Sequence, residues 1–361
     1  MAAGRARASF SARVVRWQRG HGRNGLPWQG TRDAYRIWLS EVMLQQTQVS
    51  TVLPYFARFL ERFPDVASLA AAPEDDVLAL WSGLGYYARA RNLHRAAREV
   101  VWRFAGVFPV TFDEIASLPG IGRSTAGAIA AFASGERRAI LDGNVRRVLA
   151  RHAGIAGDPA AASTQAALWE VAEARLPRGA GIEAYTQGLM DLGATLCLAR
   201  SPQCLICPVR EDCVALAEGR IDELPGKRAR AKPPRRRVAM LAIVSRGEVL
   251  LEKRPPRGIW GGLWSLPEAD AGADIADALA RDWGIQGAKI AALPPFEHAF
   301  THFTLEVQPW RVQPGKATKL AEGRRATWTA LADIDGAALP SPVKKLLKGL
   351  RQALLPEELV Q

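Results

Sequence analysis

No stretch of about eighteen consecutive apolar residues occurs in this chain of 361 residues, so hydropathy provides no helix that could cross a bilayer. Cysteine is scarce, with four residues confined to one window, and no wider framework of disulfides can be drawn. The first 32 residues contain no acid and no apolar core of the secretory kind. This arginine-rich start therefore reads as the first helix of a cytoplasmic protein. No internal repeat of solenoid length is present. Acids are outnumbered, 36 against 48 Lys and Arg, and the net charge of +12 favours a polyanionic partner, because basic side chains gain affinity for phosphate by displacing counterions. A hydrophobic fraction of 48% over this length can bury the cores of two domains.

Up to about residue 217 the apolar period is helical. Tyr35, Trp38, Leu39 and Val42 recur on one face, and similar segments cover 49–60, 74–82, 87–104, 113–118, 124–133, 144–152, 163–174 and 182–194. Thr111 and Glu114 have the spacing of a capping box. Residues 218–237 read as a linker, whose LPGKRARAKPPRRR run holds seven basic residues, three prolines and no acid; such a segment suits a path along a phosphate backbone. From 238 the period becomes that of strands: VAMLAIV and EVLLEKR pair, DIADALARDW reads as a helix, and Phe303, Leu305 and Val307 alternate. The expected architecture is multidomain, an all-α domain over 1–217 followed by an α/β or α+β domain over 238–361.

The cysteines are spaced C-x6-C-x2-C-x5-C at Cys197, Cys204, Cys207 and Cys213. Disulfides there would close very short loops and need an oxidising compartment, whereas four thiolates suit zinc or an iron–sulfur cluster. Zinc sites usually show two close pairs. Here only Cys204 and Cys207 are close, which leans toward the cluster. Arg200 and Arg210 stand among the ligands, either as DNA contacts or as solvated side chains. In LPGIGRSTAG, residues 118–127, Gly120 and Gly122 permit a tight turn, and the free N–H groups of the helix that follows can bind phosphate. Taken alone, the same turn serves any helical hairpin.

With LPW at 26–28, WLSEVMLQQTQV at 38–49, GLGYYARARNL at 83–93 and ILDGNVRRVLAR at 140–151, these features resemble the helix-hairpin-helix DNA glycosylases that carry a 4Fe–4S cluster, in particular their adenine-specific branch. The resemblance implies a base-excision enzyme that hydrolyses the N-glycosidic bond of adenine mispaired with 8-oxoguanine or guanine in duplex DNA. Glu41 would protonate the flipped adenine, which requires a raised pKa, and Asp142 would stabilise the positive charge on the sugar, with Asn144 beside it. Relatives that also cleave the backbone place a Schiff-base lysine where this chain has Ser124, so a monofunctional glycosylase is implied. Gln46, Leu84 and Tyr86 match residues that fill or wedge the duplex, and Leu26 and Trp28 match the adenine pocket; core packing competes as the reading of Leu84 and Trp28.

The region from 238 resembles the Nudix (MutT-like) domain that ends many adenine glycosylases. DIADALARDWG lacks the metal-binding glutamates, leaving only Glu268 after Gly262, and recognition rather than hydrolysis is implied. Phe300, Thr301 and His302 stand where the family reads 8-oxoguanine through Phe-Ser-His. The resemblance further implies a monomer of the bacterial cytoplasm, at the nucleoid when bound to DNA. Two other readings stay open: a bifunctional glycosylase/lyase of the endonuclease III kind, opposed by Ser124 and Glu41, and a non-catalytic iron–sulfur DNA-binding protein, opposed by the presence of both carboxylates.

Overall fold

A computed structural model describes residues 8–226, 233–315 and 325–354. The middle of the basic run, 227–232, lies outside the described residues. Two compact units result, one formed by Met1–Ala71 with Asn92–Ala229 and the other by Ala72–Arg91 with Arg230–Gln361.

Helices come first: α1 (Phe10–His21), α2 (Ala34–Leu44), α3 (Val49–Arg62), α4 (Val66–Ala71), α5 (Glu74–Trp81), α6 (Ala88–Phe104), α7 (Phe112–Ala116), α8 (Arg123–Ser134), α9 (Gly143–Ala153), α10 (Ala162–Ala174), α11 (Ile182–Asp191) and α12 (Val214–Ala217). In the first unit, Phe10 and Val14 of α1, Ile140 and Leu141 before α9, Val145 and Leu149 within it, and Tyr185 and Leu189 of α11 bury one core. Asp33 caps α2 by accepting from the N–H groups of Tyr35 and Arg36, and Asp142 caps α9 by accepting from those of Asn144 and Val145. The expected capping box behaves differently. Thr111 Oγ1 donates to the Glu114 carboxylate at 2.6 Å instead of capping α7, whose first N–H, that of Phe112, donates to the Glu136 carboxylate at 2.8 Å. The segment expected to be helical to 194 leaves the α geometry after Asp191 and continues as a π-helical turn, Leu192–Leu196.

The second unit carries β1 (Arg235–Ser245), β2 (Glu248–Lys253), β3 (Trp264–Ser265), β4 (Glu268–Asp270), α13 (Ile275–Trp283), β5 (Lys289–Ala292), β6 (Phe296–Ala299), β7 (Thr304–Gln313), β8 (Ala326–Ala330) and α14 (Ser341–Leu354). Strand β1 therefore takes in the last three arginines of the expected linker. It runs parallel to β7 from Arg235↔Thr304 to Ile243↔Val312, while β2, β4, β5, β6 and β8 join by antiparallel pairing. Ile275, Leu279 and Trp283 of α13 pack on Leu241, Ile243 and Val312.

Residues 72–91 join this unit through polar contacts that no local pattern announces. Asp75 pairs with Lys253 and accepts from Trp264 Nε1 at 3.0 Å, Ser82 Oγ donates to the Leu339 carbonyl at 2.7 Å, and Arg91 donates to the Gly261 carbonyl.

Within the first unit, the buried Tyr35 hydroxyl of α2 donates to the Phe63 carbonyl after α3 at 2.8 Å. Tyr35→Phe leaves that carbonyl unpaired, and a loss of about 1–3 kcal/mol is expected. A denaturant-melt midpoint identical to that of the wild type would contradict it.

Candidate active site and iron–sulfur loop

Helix α2 buries Tyr35, Ile37, Trp38, Leu39, Val42 and Met43 and leaves Glu41 on its remaining face. It stops at Leu44, because Gln46 adopts φ +58. Glu41, Gln45 and Gln48 thus do not lie on one helix: Gln45 is the C-cap of α2 and Gln48 the N-cap of α3. All three nonetheless line a cleft of about 740 Å³ together with Leu26, Trp28, Gln46, Ser124, Asp142 and Asn144. A second cavity of about 580 Å³ shares Trp28, Glu41 and Gln187 with this cleft, so Glu41 stands in the wall between the two. Trp28 is both core and lining, 7% exposed and edge-on to Phe56 at 5.2 Å.

Asp142 is set by its backbone. Its Oδ1 accepts from Asn144 N at 2.6 Å and Val145 N at 2.8 Å, and Ser124 Oγ accepts from the N–H of the preceding Leu141 at 2.9 Å. Ser124 is therefore a support for the turn that aims Asp142. Burial pushes the Asp142 pKa up, while the two N–H bonds and the charges of Arg147 and Arg146 oppose that rise. Burial, with the Asp142 charge in addition, pushes Glu41 up to about 8. At neutral pH Glu41 is thereby held as an acid, whereas at Asp142 the same effect of burial is opposed by N–H bonds and arginine charges that Glu41 lacks.

The hairpin ahead of Ser124 matches its expected form. Gly120 sits at φ +79, and a Cβ there would meet Asn92 Cβ at 2.6 Å. Gly122 is the N-cap of α8, which no side chain caps, and helix N–H groups left without such a cap are able to bind an anion.

Arg147 Nη2 donates to Asn144 Oδ1 at 2.9 Å and to the Gly193 carbonyl at 2.5 Å, and its Nε donates to the Cys197 carbonyl at 2.6 Å. One turn on, Arg151 Nη1 donates to the Leu198 carbonyl at 2.7 Å and reaches Cys197 Sγ at 3.4 Å. Gly193 admits this approach, since a Cβ would stand 2.6 Å from Asn144 Cβ. Helix α9 thus carries Asp142 at its start and grips the cysteine loop along its length.

Cys197, Cys204, Cys207 and Cys213 form no disulfide and line one cavity with Val148, Leu192, Leu196 and Val209. Among the described residues, no group of three or more His, Cys, Asp or Glu is arranged to hold a single metal ion. Four thiols around one cavity have the donor set of a thiolate-bound metal centre.

Sequence reasoning missed Arg23, Thr125, Arg147, Gln187 and Met190 as cleft lining. Arg147 stood inside a quoted motif, but Gln187 lies far along the chain and carried no local signal. In the second unit, Leu84 is 6% exposed and packed as core, whereas Tyr86, at φ +48, is 49% exposed with its hydroxyl 3.3 Å from Thr301 Oγ1. His302 lies in the turn ahead of β7. Phe300 N–H donates to the Phe303 carbonyl at 2.8 Å, which closes the β6–β7 hairpin with Thr301 and His302 exposed at its tip. Glu268 is paired with Arg254 at 2.6 Å, and α13 contains no glutamate.

Three families of sequence account for these regions. Residues 39–174 match the HhH-GPD superfamily of base excision DNA repair proteins, 197–213 the iron-sulfur binding domain of endonuclease III, and 238–349 the NUDIX domain. The adenine DNA glycosylase of Buchnera aphidicola is 35% identical over 345 residues, 95% of this chain and 98% of that protein. That of Mus musculus is 31% identical over 400 residues, covering 94% and 77%. A thermostable thymine-DNA glycosylase aligns structurally with TM-score 0.52 and 28% identity, over 58% of this chain and 95% of that one. The four-cysteine loop is accordingly the site of a 4Fe–4S cluster. By sequence, domain content and cysteine loop, the chain belongs to the adenine DNA glycosylase family.

Proposed function

We propose that this enzyme removes adenine from mispairs with 8-oxoguanine or guanine in duplex DNA, as a monofunctional glycosylase. One observation carries the reading: Glu41 and Asp142 line one cleft in surroundings that set them to opposite tasks. Adenine enters the cleft against Leu26 and Trp28. Glu41 gives its proton to a ring nitrogen, which turns the base into a leaving group; Asp142, held by two N–H bonds, stabilises the charge that develops on the sugar. Asn144, fixed by Arg147, supports that end of the cleft, and water supplies the nucleophile. Gln46 at the cleft rim and the exposed Tyr86 are assigned to filling and wedging the duplex, and Leu84, packed as core, to supporting that segment.

No lysine lines the cleft, and Ser124 has no amine with which to form a Schiff base, which argues against a lyase. Gly120, Gly122 and the start of α8 hold a phosphate. Cys197, Cys204, Cys207 and Cys213 would hold the cluster, which when bound would fix the loop between them. The tip formed by Phe300, Thr301 and His302 is assigned to reading the base opposite adenine, and the Arg254–Glu268 pair with a glutamate-free α13 argues against magnesium-dependent hydrolysis. Among the described residues no helix is long and apolar enough to cross a membrane. The family resemblance supports a monomer acting on DNA in the bacterial cytoplasm, at the nucleoid.

Glu41→Gln keeps the shape and removes the proton. Single-turnover excision should fall by about 10² to 10⁴ while mispair binding persists. Because the acid works only when protonated and its pKa is about 8, the wild-type rate should hold through neutrality and decline above about pH 8. Excision within threefold or so of wild type in the variant, or an alkaline limb near pH 5, would remove Glu41 from the role.

Ser124→Lys should yield DNA adducts trapped by borohydride that the wild type lacks. Efficient trapping of the wild type would reveal an amine elsewhere and defeat the monofunctional reading.

His302→Ala should leave adenine excision in place and compress the preference for 8-oxoguanine over guanine by roughly tenfold to a hundredfold, the value of a good base contact of about 1–3 kcal/mol. An unchanged ratio would return the hairpin tip to a structural role.

A further inference from the structure

Three consecutive arginines open β1, and strand geometry sends their side chains to alternate faces. Arg235 and Arg237 share one face, where both are engaged by carboxylates: Arg235 Nη1 lies 2.9 Å from Glu297 and 2.5 Å from Glu306, and Arg237 Nε lies 2.7 Å from Glu306. Arg236 points the other way. Among the described residues it meets no carboxylate, and its guanidinium carbon stands 4.8 Å from the centre of the Phe303 ring. Phe303 stacks on Phe300 with centroids 4.6 Å apart and planes 19° from parallel. The same two residues close the turn that exposes Thr301 and His302. The register Arg235↔Thr304 therefore brings an uncompensated cation to the base of the β6–β7 hairpin tip.

A ring under a guanidinium restricts its rotamers without cancelling its charge. The planar fork remains free to take a phosphate through two parallel N–H bonds. We propose that Arg236 is a DNA backbone contact of the second unit, a preorganised guanidinium that engages a phosphate beside the base met by Thr301 and His302 and so fixes the position of the hairpin tip on the duplex. Phosphate contacts set register and base contacts set specificity, and here the two would sit on adjacent strands of one stack. The inference rests on the lesion-reading role given above to that tip.

The test uses the full-length protein with its cluster, and duplexes that carry 8-oxoguanine or guanine opposite a non-cleavable adenine analogue. Affinity is measured across a salt series for wild type, Arg236→Gln, Arg236→Lys and Arg237→Gln. Loss of one phosphate contact should reduce the magnitude of the slope of log K against log salt by about 0.9. Arg236→Gln should show that reduction and weaken both duplexes by a common factor, and Arg236→Lys should retain the slope. Arg237→Gln should leave it unchanged, because Glu306 keeps Arg235 as a partner. A wild-type slope in Arg236→Gln would overturn the proposal, and so would equal reductions in Arg236→Gln and Arg237→Gln, which would mark a diffuse charge effect. A collapse of the preference for 8-oxoguanine with the slope intact would likewise overturn it, assigning Arg236 to the turn alone. A wild type that does not distinguish the two duplexes would defeat the reading of the hairpin tip, while the slope would still decide the phosphate contact.

Discussion

Two carboxyl groups withdrawn from water into one cleft cannot both keep the charge they would carry in solution. Glu41 and Asp142 share this constraint, and the rest of the first unit resolves it unequally. Asp142 receives two backbone N–H bonds and the fields of two arginines. Glu41 receives neither, and it also feels the charge of Asp142, so the proton stays on Glu41. This asymmetry of surroundings separates two similar side chains in their hold on a proton, and the acid and charge-stabilising roles proposed for them would draw on that difference.

The asymmetry is built by helix ends. Asp142 is the N-cap of α9, and a cap has its carboxylate fixed by the helix it begins. Ser124, the second residue of α8, steadies the residue before it. Farther along α9, Arg147 and Arg151 bond to the carbonyls of Gly193, Cys197 and Leu198. A displacement of the cysteine loop would therefore be felt at the first turn of α9. The cluster loop and the cleft are one mechanical assembly, although no cysteine lines the cleft.

The second unit keeps the NUDIX frame with no glutamate on α13. The glutamate that survives, Glu268, is held by Arg254, and the buried face of α13 is filled by Ile275, Ala278, Leu279 and Trp283. What that frame presents instead is a short hairpin, stiffened at its base by the Phe300–Phe303 stack, with a hydroxyl and an imidazole at its tip.

Much was determined by the sequence alone, wherever the physics is local. Cysteine spacing, the glycine pair at 120 and 122, the helical period and its change to a strand period all act between near neighbours. The family's motifs likewise picked out Glu41, Asp142 and Ser124 as chemical types. Tertiary structure decided the rest, because burial and charge compensation are collective. It ended α2 at Leu44, so that Gln45 and Gln48 reach the cleft from loop and cap; it brought in Gln187; and it joined residues 72–91 to the second unit through Asp75, Ser82 and Arg91. It also distinguished three identical letters, since only the strand's alternation and the positions of Glu297 and Glu306 leave Arg236 uncompensated between two paired arginines.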